Sequence, residues 1–148
     1  MSYPIRSMSL DDYESVYHLW STSEGVSLDE DDSRDGIASY LRRPRVMFRR
    51  AGWERNRWSC LVRHEGRRGI LRHLAVSPDY RKKGIATSLI RACFGALSAD
   101  GIKKCNIFVM DDNGAGLKFW EYIGFYRLDD NYRTLQHLTQ TQLRSSRP

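Results

Sequence analysis

His73-Leu-Ala-Val-Ser-Pro-Asp-Tyr-Arg-Lys-Lys-Gly-Ile-Ala86 is an apolar run that breaks at Pro78 into a basic, glycine-bearing turn and then resumes as a helix. Ile85, Leu89, Cys93 and Leu97 recur every four residues with Ile90 and Phe94 beside them, the spacing of a helix that packs one face. Residues 81–86 therefore stand at the N-terminus of that helix. The first N–H groups of a helix have no partner within it, and the helix dipole adds partial positive charge. Main chain alone can then hold a phosphate or pyrophosphate. Gly84 lets the backbone approach such an anion, where a side chain would stand between the amides and the ligand. The plain alternative is a turn whose Arg and Lys serve only solubility.

The order Arg81-x-x-Gly84-x-Ala86 after Leu74-Ala75-Val76 resembles the acetyl-CoA-binding motif of the GNAT acyltransferases, whose usual form is Gln or Arg, two residues, Gly, one residue, Gly or Ala. Downstream, Asn113-Gly-Ala-Gly-Leu-Lys-Phe-Trp-Glu-Tyr-Ile-Gly-Phe125 is similar to that family's later motif, an Asn opening a helix that carries an aromatic pair and ends in Gly-Phe. The resemblance covers residues 69–128 and is nearest to the bacterial ribosomal-protein alanine N-acetyltransferases. It implies one α/β (α+β) domain, residues 1–148, with a mixed, mostly antiparallel sheet, helices on both faces and splayed central strands that bind acetyl-CoA.

The same resemblance implies roles for particular positions. Leu74, Ala75 and Val76 would offer main-chain hydrogen bonds to the pantetheine arm, as an added strand would. Arg81, Lys82, Lys83, Gly84, Ile85, Ala86 and Thr87 would cradle the pyrophosphate. Asn113 would hydrogen-bond the pantetheine, and it is also a good helix N-cap. Phe119 and Trp120 would wall the thioester end, or fill the core as aromatics on an amphipathic helix.

The implied reaction moves the acetyl group of acetyl-CoA to a primary amine. It requires two oriented reactants, a proton acceptor, and support for the thioester oxyanion and departing thiolate. A main-chain N–H near Val76 would serve the oxyanion. Where many members carry an acidic Tyr, this chain has Trp120, whose indole N–H donates a hydrogen bond but gives up no proton usefully. Tyr122 and Tyr126 are possible replacements, although Tyr122 lies two helical positions on and projects from a different face. Phe108 occupies the place of the acidic base of some members. His73, on the motif strand, is then the ionisable candidate for the base, because imidazole ordinarily titrates near neutrality. A structural histidine and a water relay to solvent are the alternatives.

With 148 residues the chain can bury one substantial core. No window approaches the roughly eighteen apolar residues of a membrane span. The start, Met1-Ser-Tyr-Pro-Ile-Arg, lacks a signal peptide's apolar run, so a cytoplasmic protein is expected. Cys60, Cys93 and Cys105 are odd in number and widely spaced, and His18, His64, His73 and His137 do not cluster, so neither a disulfide framework nor a metal site is expected. Monomer and homodimer are both compatible with the sequence.

Charge is unevenly distributed. The net charge is +6, yet residues 42–72 hold eleven arginines against Glu54 and Glu65, which leaves the remainder of the chain acidic. Interleaved with Trp53 and Trp58, these arginines suit phosphate contacts and base stacking. They support the alternative function of a non-catalytic binding module for nucleic acid or an acidic protein. A solvated hairpin with snorkelling arginines is the simpler reading. Glu24 and the acids at 29–32 suit a cationic acceptor such as a protein N-terminus or a lysine, or form an ordinary solvated helix start.

The expected elements are a strand at 3–6, a helix capped by Ser9 with Tyr13, Val16, Tyr17 and Trp20 on one face, and a second helix at 33–41. A hairpin of 47–48 with 58–62 follows, then strands at 70–76, 102–109, 125–128 and 132–138. Residues 47–62 lack the alternation of a half-buried hairpin, and a shifted reading frame across 53–62 would supply a turn and an apolar strand there.

Overall fold

A computed structural model describes residues 3–42, 46–51, 56–128 and 134–139 of the chain. Four strands lie in the order β1 (Val46–Ala51), β2 (Trp58–His64), β3 (Arg68–Val76), β4 (Lys104–Asn106). The first two pairings are antiparallel and the third is parallel. Helices α1 (Tyr13–Ser21) and α2 (Arg34–Arg42) cover one face, while α3 (Ile85–Ala99) and α4 (Gly114–Ile123) pack on the other. This is the mixed, mostly antiparallel architecture that the motifs imply.

Local chemistry sets the helix ends. Ser9 N–H donates to Asp12 Oδ2 at 3.0 Å across the turn Leu10–Asp12 that leads into α1. α1 buries Tyr13, Val16, Leu19 and Trp20. Tyr17, expected on that face, is instead 36% exposed and stacks on Tyr13 at 5.5 Å, because the buried stripe centres on Val16, a quarter turn away. α4 ends in paired bonds, Gly124 N–H to Glu121 O at 3.0 Å and Phe125 N–H to Trp120 O at 2.9 Å, with Gly124 at φ 119°.

The sheet carries two cores. Trp58, Cys60 and Val62 of β2 and Leu71 of β3 meet Ile85, Leu89, Ile90, Cys93 and Leu97 of α3. Leu61 and Ala75 meet Val16, Leu19 and Trp20 of α1 and Ile37 of α2. β2 is thus buried on both faces from Trp58 to Val62, which is why its sequence shows no alternation. β1 pairs with it from Val46 opposite Arg63 to Ala51 opposite Trp58, as the expected hairpin. α3 approaches β3 so closely that a Cβ on Gly69 would lie 2.5 Å from Leu97 Cδ1.

Two features of β3 shape the site. Ser59 opposes Ala75 and Leu61 opposes Arg72, so three steps on β3 match two on β2, and the extra residue is a bulge at His73–Leu74. The ladder to β4 runs only from Arg68 opposite Lys104 to Ile70 opposite Asn106. Past Ile70 the edge of β3 that faced β4 has no ladder partner among the described residues, so the central strands splay.

Several expected strands differ. The one at 102–109 shortens to Lys104–Asn106, because β3 has diverged and, among the described residues, leaves 107–110 no backbone to pair with. Residues 125–128 form no strand: Phe125 closes the end of α4 and packs on Trp120 and Phe94, at centroid distances of 5.1 and 5.9 Å. Of the stretch 132–138, residues 132–133 lie outside the described residues and 134–138 have no regular structure. Within 3–6 only Arg6 makes a bridge, while Tyr3 turns its ring onto Trp58. Trp53 and the arginines at 43, 45 and 55 also lie outside the described residues.

Candidate active site

The turn after β3 is built for main-chain contacts. Ser77 N–H donates to Arg57 O at 2.7 Å, anchoring the strand end, and a tight turn at Pro78–Tyr80 lays Tyr80 against the Trp58 ring at 5.2 Å. Arg81 Nε then donates to Val76 O at 3.1 Å. Lys82 at φ 60° and Gly84 at φ 78° are left-handed, and such alternation curls successive N–H groups into a concavity for an anion. Gly84 occupies the N-cap of α3 without a side chain to cap it. The first bond of the helix is Ser88 N–H to Gly84 O at 3.1 Å, so the amides of Ile85, Ala86 and Thr87 precede it. Ile85's side chain is buried in the core, which leaves its N–H as the part that can meet a ligand.

Leu74 and Val76 turn their side chains to the α3 core and Ala75 to the α1 core, so these residues present main chain at the open edge. At the other wall, Asn113 Oδ1 accepts from Gly116 N–H at 3.0 Å and caps α4. The loop after α1 reaches this point: a Cβ on Gly25 would stand 3.3 Å from Asn113 Nδ2. Phe119 and Trp120 meet edge to face at 5.1 Å, half-buried beside the α3 core. Arg72 extends from β3 to place its guanidinium 5.7 Å from the Phe108 ring centroid, across the splay.

The bulge turns His73, at φ 55°, toward α1 and the acidic turn Glu30–Asp32. Its Nε2 lies 2.7 Å from Asp32 Oδ1, both side chains being 11% exposed, and its ring is 4.8 Å from that of Trp20. Trp20 Nε1 in turn donates to the buried Ser59 Oγ at 3.0 Å. Asp32 Oδ2 accepts from Asp29 N–H at 3.0 Å, and Asp32 O accepts from Tyr13 OH at 2.7 Å. Burial, reinforced by Tyr17 and Glu14, raises the Tyr13 phenol above its ordinary range, so it remains a donor. Asp32 is the residue that sequence reasoning missed. Its spacing from Asp29 signals a capped turn, but nothing local points to a partner 41 residues away.

The acetyltransferase (GNAT) family model matches residues 11–125. The chain belongs to the GNAT acetyltransferases. An acetyltransferase of Yersinia pseudotuberculosis is 33% identical over 128 residues, covering 84% of this chain and 89% of its own. The fold is similar to that of the PaiA N-acetyltransferase of Thermoplasma acidophilum, solved with coenzyme A, at a TM-score of 0.74 and 21% identity over 85% of this chain and 91% of that one. It is also similar to the ribosomal-protein-S18-alanine N-acetyltransferase of Escherichia coli, at a TM-score of 0.71 and 19% identity over 86% and 80%. As a GNAT enzyme it is an acetyl-CoA-dependent N-acetyltransferase.

The residues of this acetyltransferase fit the acyl donor. A Cβ on Gly84 would meet nothing within 4 Å, so the space before the uncapped amides is open. Tyr122 and Tyr126, weighed as replacements for the family's acidic Tyr, are 86% and 77% exposed, while Trp120 is half-buried. The nucleic-acid alternative gains nothing from the comparisons. Of the arginine-rich segment, Arg72 is drawn to Phe108 and Arg67 to Glu65, at 3.2 Å. Among the described residues no helix is long and apolar enough to cross a membrane.

Proposed function

We propose that this enzyme acetylates an unidentified primary amine, whether a protein N-terminus, a lysine or a small molecule, by direct attack on acetyl-CoA. The observation that carries the reading is the edge of β3, which past Ile70 has no ladder partner among the described residues, running into an uncapped, left-handed turn at Gly84. Leu74, Ala75 and Val76 hold the pantetheine through main chain, and Arg81, Lys82, Lys83, Gly84, Ile85, Ala86 and Thr87 hold the pyrophosphate. Asn113 contributes its amide, and Phe119 and Trp120 wall the thioester end. Acetyl-CoA supplies an electrophilic thioester carbon: the C–N bond forms there, the C–S bond breaks, and the electron pair leaves on sulfur. A main-chain N–H near Val76 supports the oxyanion. His73 takes the proton that the attacking nitrogen loses. The thiolate is protonated from solvent, since Trp120 yields no proton.

The acids suit a cationic acceptor less than the sequence alone suggests. Asp32 is engaged by His73, and Asp29 Oδ1 accepts from Asp31 N–H at 2.9 Å, so Glu24, Glu30 and Asp31 remain for attraction. The test is calorimetric titration with acetyl-CoA, followed by thiol-release assays over peptide N-termini, lysine peptides, polyamines and aminoglycosides. Micromolar binding and turnover of one amine class are expected. His73→Ala should keep the donor affinity and lose turnover by roughly 10²–10⁴-fold. A folded protein that binds no acetyl-CoA overturns the reading.

A further inference from the structure

We infer that Asp32 is a positioning residue: its carboxylate accepts the Nε2–H of His73 and so fixes the tautomer that leaves Nδ1 as the proton-accepting nitrogen. The inference rests on the reading of His73 as the proton acceptor. In a neutral imidazole one nitrogen is a donor and the other an acceptor, and the partner of one decides the state of the other. At 2.7 Å from an acceptor-only carboxylate, Nε2 carries the hydrogen. Among the described residues no hydrogen bond reaches Nδ1.

The carboxylate cannot swing away. Oδ2 is held by Asp29 N–H at 3.0 Å, and the turn beneath is tied by Tyr13 OH on Asp32 O at 2.7 Å. The imidazole cannot flip freely either, because the Trp20 ring lies 4.8 Å away and is itself held by Ser59. A non-glycine residue in the left-handed region at φ 55° is strained, and such strain gathers where geometry serves function. Titratable and charged groups on the elements packed around the pair include Asp29, Glu30 and Asp31 of the acidic turn, Tyr13 and Glu14 of α1, Arg34, which pairs with Glu14 at 2.6 Å, and Tyr40 of α2, and Arg63 and Arg72 of the sheet. Asp29's carboxylate caps Asp31, and Arg72 is drawn to Phe108, so Asp32 is the charge in contact with the ring.

Asp32→Asn makes a specific change. Asp29 N–H still requires an acceptor, so the new amide turns its oxygen there and its NH₂ toward His73. Nε2 must then accept, and the proton moves to Nδ1, which removes the base. The experiment is imidazole ¹⁵N NMR of the histidine-labelled protein, with His73→Ala to assign the resonance, alongside kinetics. The wild type should show the Nε2–H tautomer and Asp32→Asn the Nδ1–H tautomer. kcat should fall at least about tenfold, toward the roughly 10²–10⁴-fold of a lost base, with acetyl-CoA affinity unchanged. An Nδ1–H wild type overturns the inference whatever the kinetics, and needs no folded variant. An Asp32→Asn enzyme at full turnover, with His73→Ala impaired, overturns Asp32 alone. Full turnover in His73→Ala overturns the underlying assignment of the base.

Discussion

Gly84 separates backbone strain from ligand exclusion. At φ 78° an L-residue is disfavoured by roughly 1–2 kcal/mol, and because a Cβ there meets nothing within 4 Å, no steric clash adds to it. Gly84→Ala should therefore destabilise by about 1–2 kcal/mol, a fall in Tm of roughly 2–8 °C for a domain of this size. Its effect on acetyl-CoA comes from the methyl standing before the amides of Ile85, Ala86 and Thr87. Gly84→Glu carries the same strain and adds a negative charge beside the pyrophosphate. A unit charge at about 4 Å is worth ~4 kcal/mol at an effective dielectric of ~20, reduced by salt and by the freedom of an exposed Glu to swing away. The dissociation constant should rise by roughly 10–10³-fold. Calorimetric titration measures the affinity and thermal unfolding the strain. A folded Gly84→Glu protein that binds acetyl-CoA like the wild type refutes the assignment of the turn. A Gly84→Ala protein with unchanged Tm refutes the strain argument.

Asn113→Ala should lose about 0.5–2 kcal/mol in urea denaturation with the cap to Gly116 N–H, whereas Asn113→Asp keeps the acceptor and loses the donor. If the amide also meets pantetheine, only affinity should suffer in Asn113→Asp. Trp20→Phe removes the buried 3.0 Å bond to Ser59 and should cost about 1–3 kcal/mol of stability by denaturant titration. The thiols should be almost silent to a disulfide reagent at pH 8 until the protein unfolds. The neighbouring Cys93 thiol, then burial, raises Cys60, and burial pushes Cys105 up to about 11. The folded protein keeps the Cys105 proton where the unfolded chain releases it, so this contribution to stability should fade as pH climbs from the ordinary thiol range toward 11. A thiol that reacts rapidly at pH 8 in the native enzyme would contradict this.

What the sequence makes legible is what depends on short spacing. The turn at 81–86 can be read because its function is carried by main chain, and Gly84 with the period of Ile85, Leu89 and Cys93 places that main chain. The caps at Ser9, Asn113 and Gly124 are equally local. The period points to Tyr17 where the fold buries Leu19, because the angle of a stripe depends on what covers it. The short β4 is hidden for a related reason: apolar residues 107–109 suit a strand, but a strand exists only where a neighbour remains parallel, and β3 leaves after Ile70. Asp32 reads as one acid among four. Its meeting with His73 requires the acidic turn to fold over a strand 41 residues on.

The bulge joins these features into one device. With strict alternation, Leu71, His73 and Ala75 would share a face, burying an imidazole beneath α3 and turning Leu74 and Val76 toward α1. The extra residue resets the count, so Leu71, Leu74 and Val76 all meet the α3 core while His73 and Ala75 meet the α1 side. The cost is one left-handed residue in a strand, which a β-branched apolar side chain bears poorly and histidine tolerates better. Position 73 thus requires a polar residue that accepts positive φ and has a partner waiting. That partner is Asp32, and its hydrogen bond helps to stabilise the bulge it also exploits. Replacing His73 by Val should therefore disturb the register of β2 against β3 as well as the chemistry, whereas Asn at 73 should preserve the register and lose only the base.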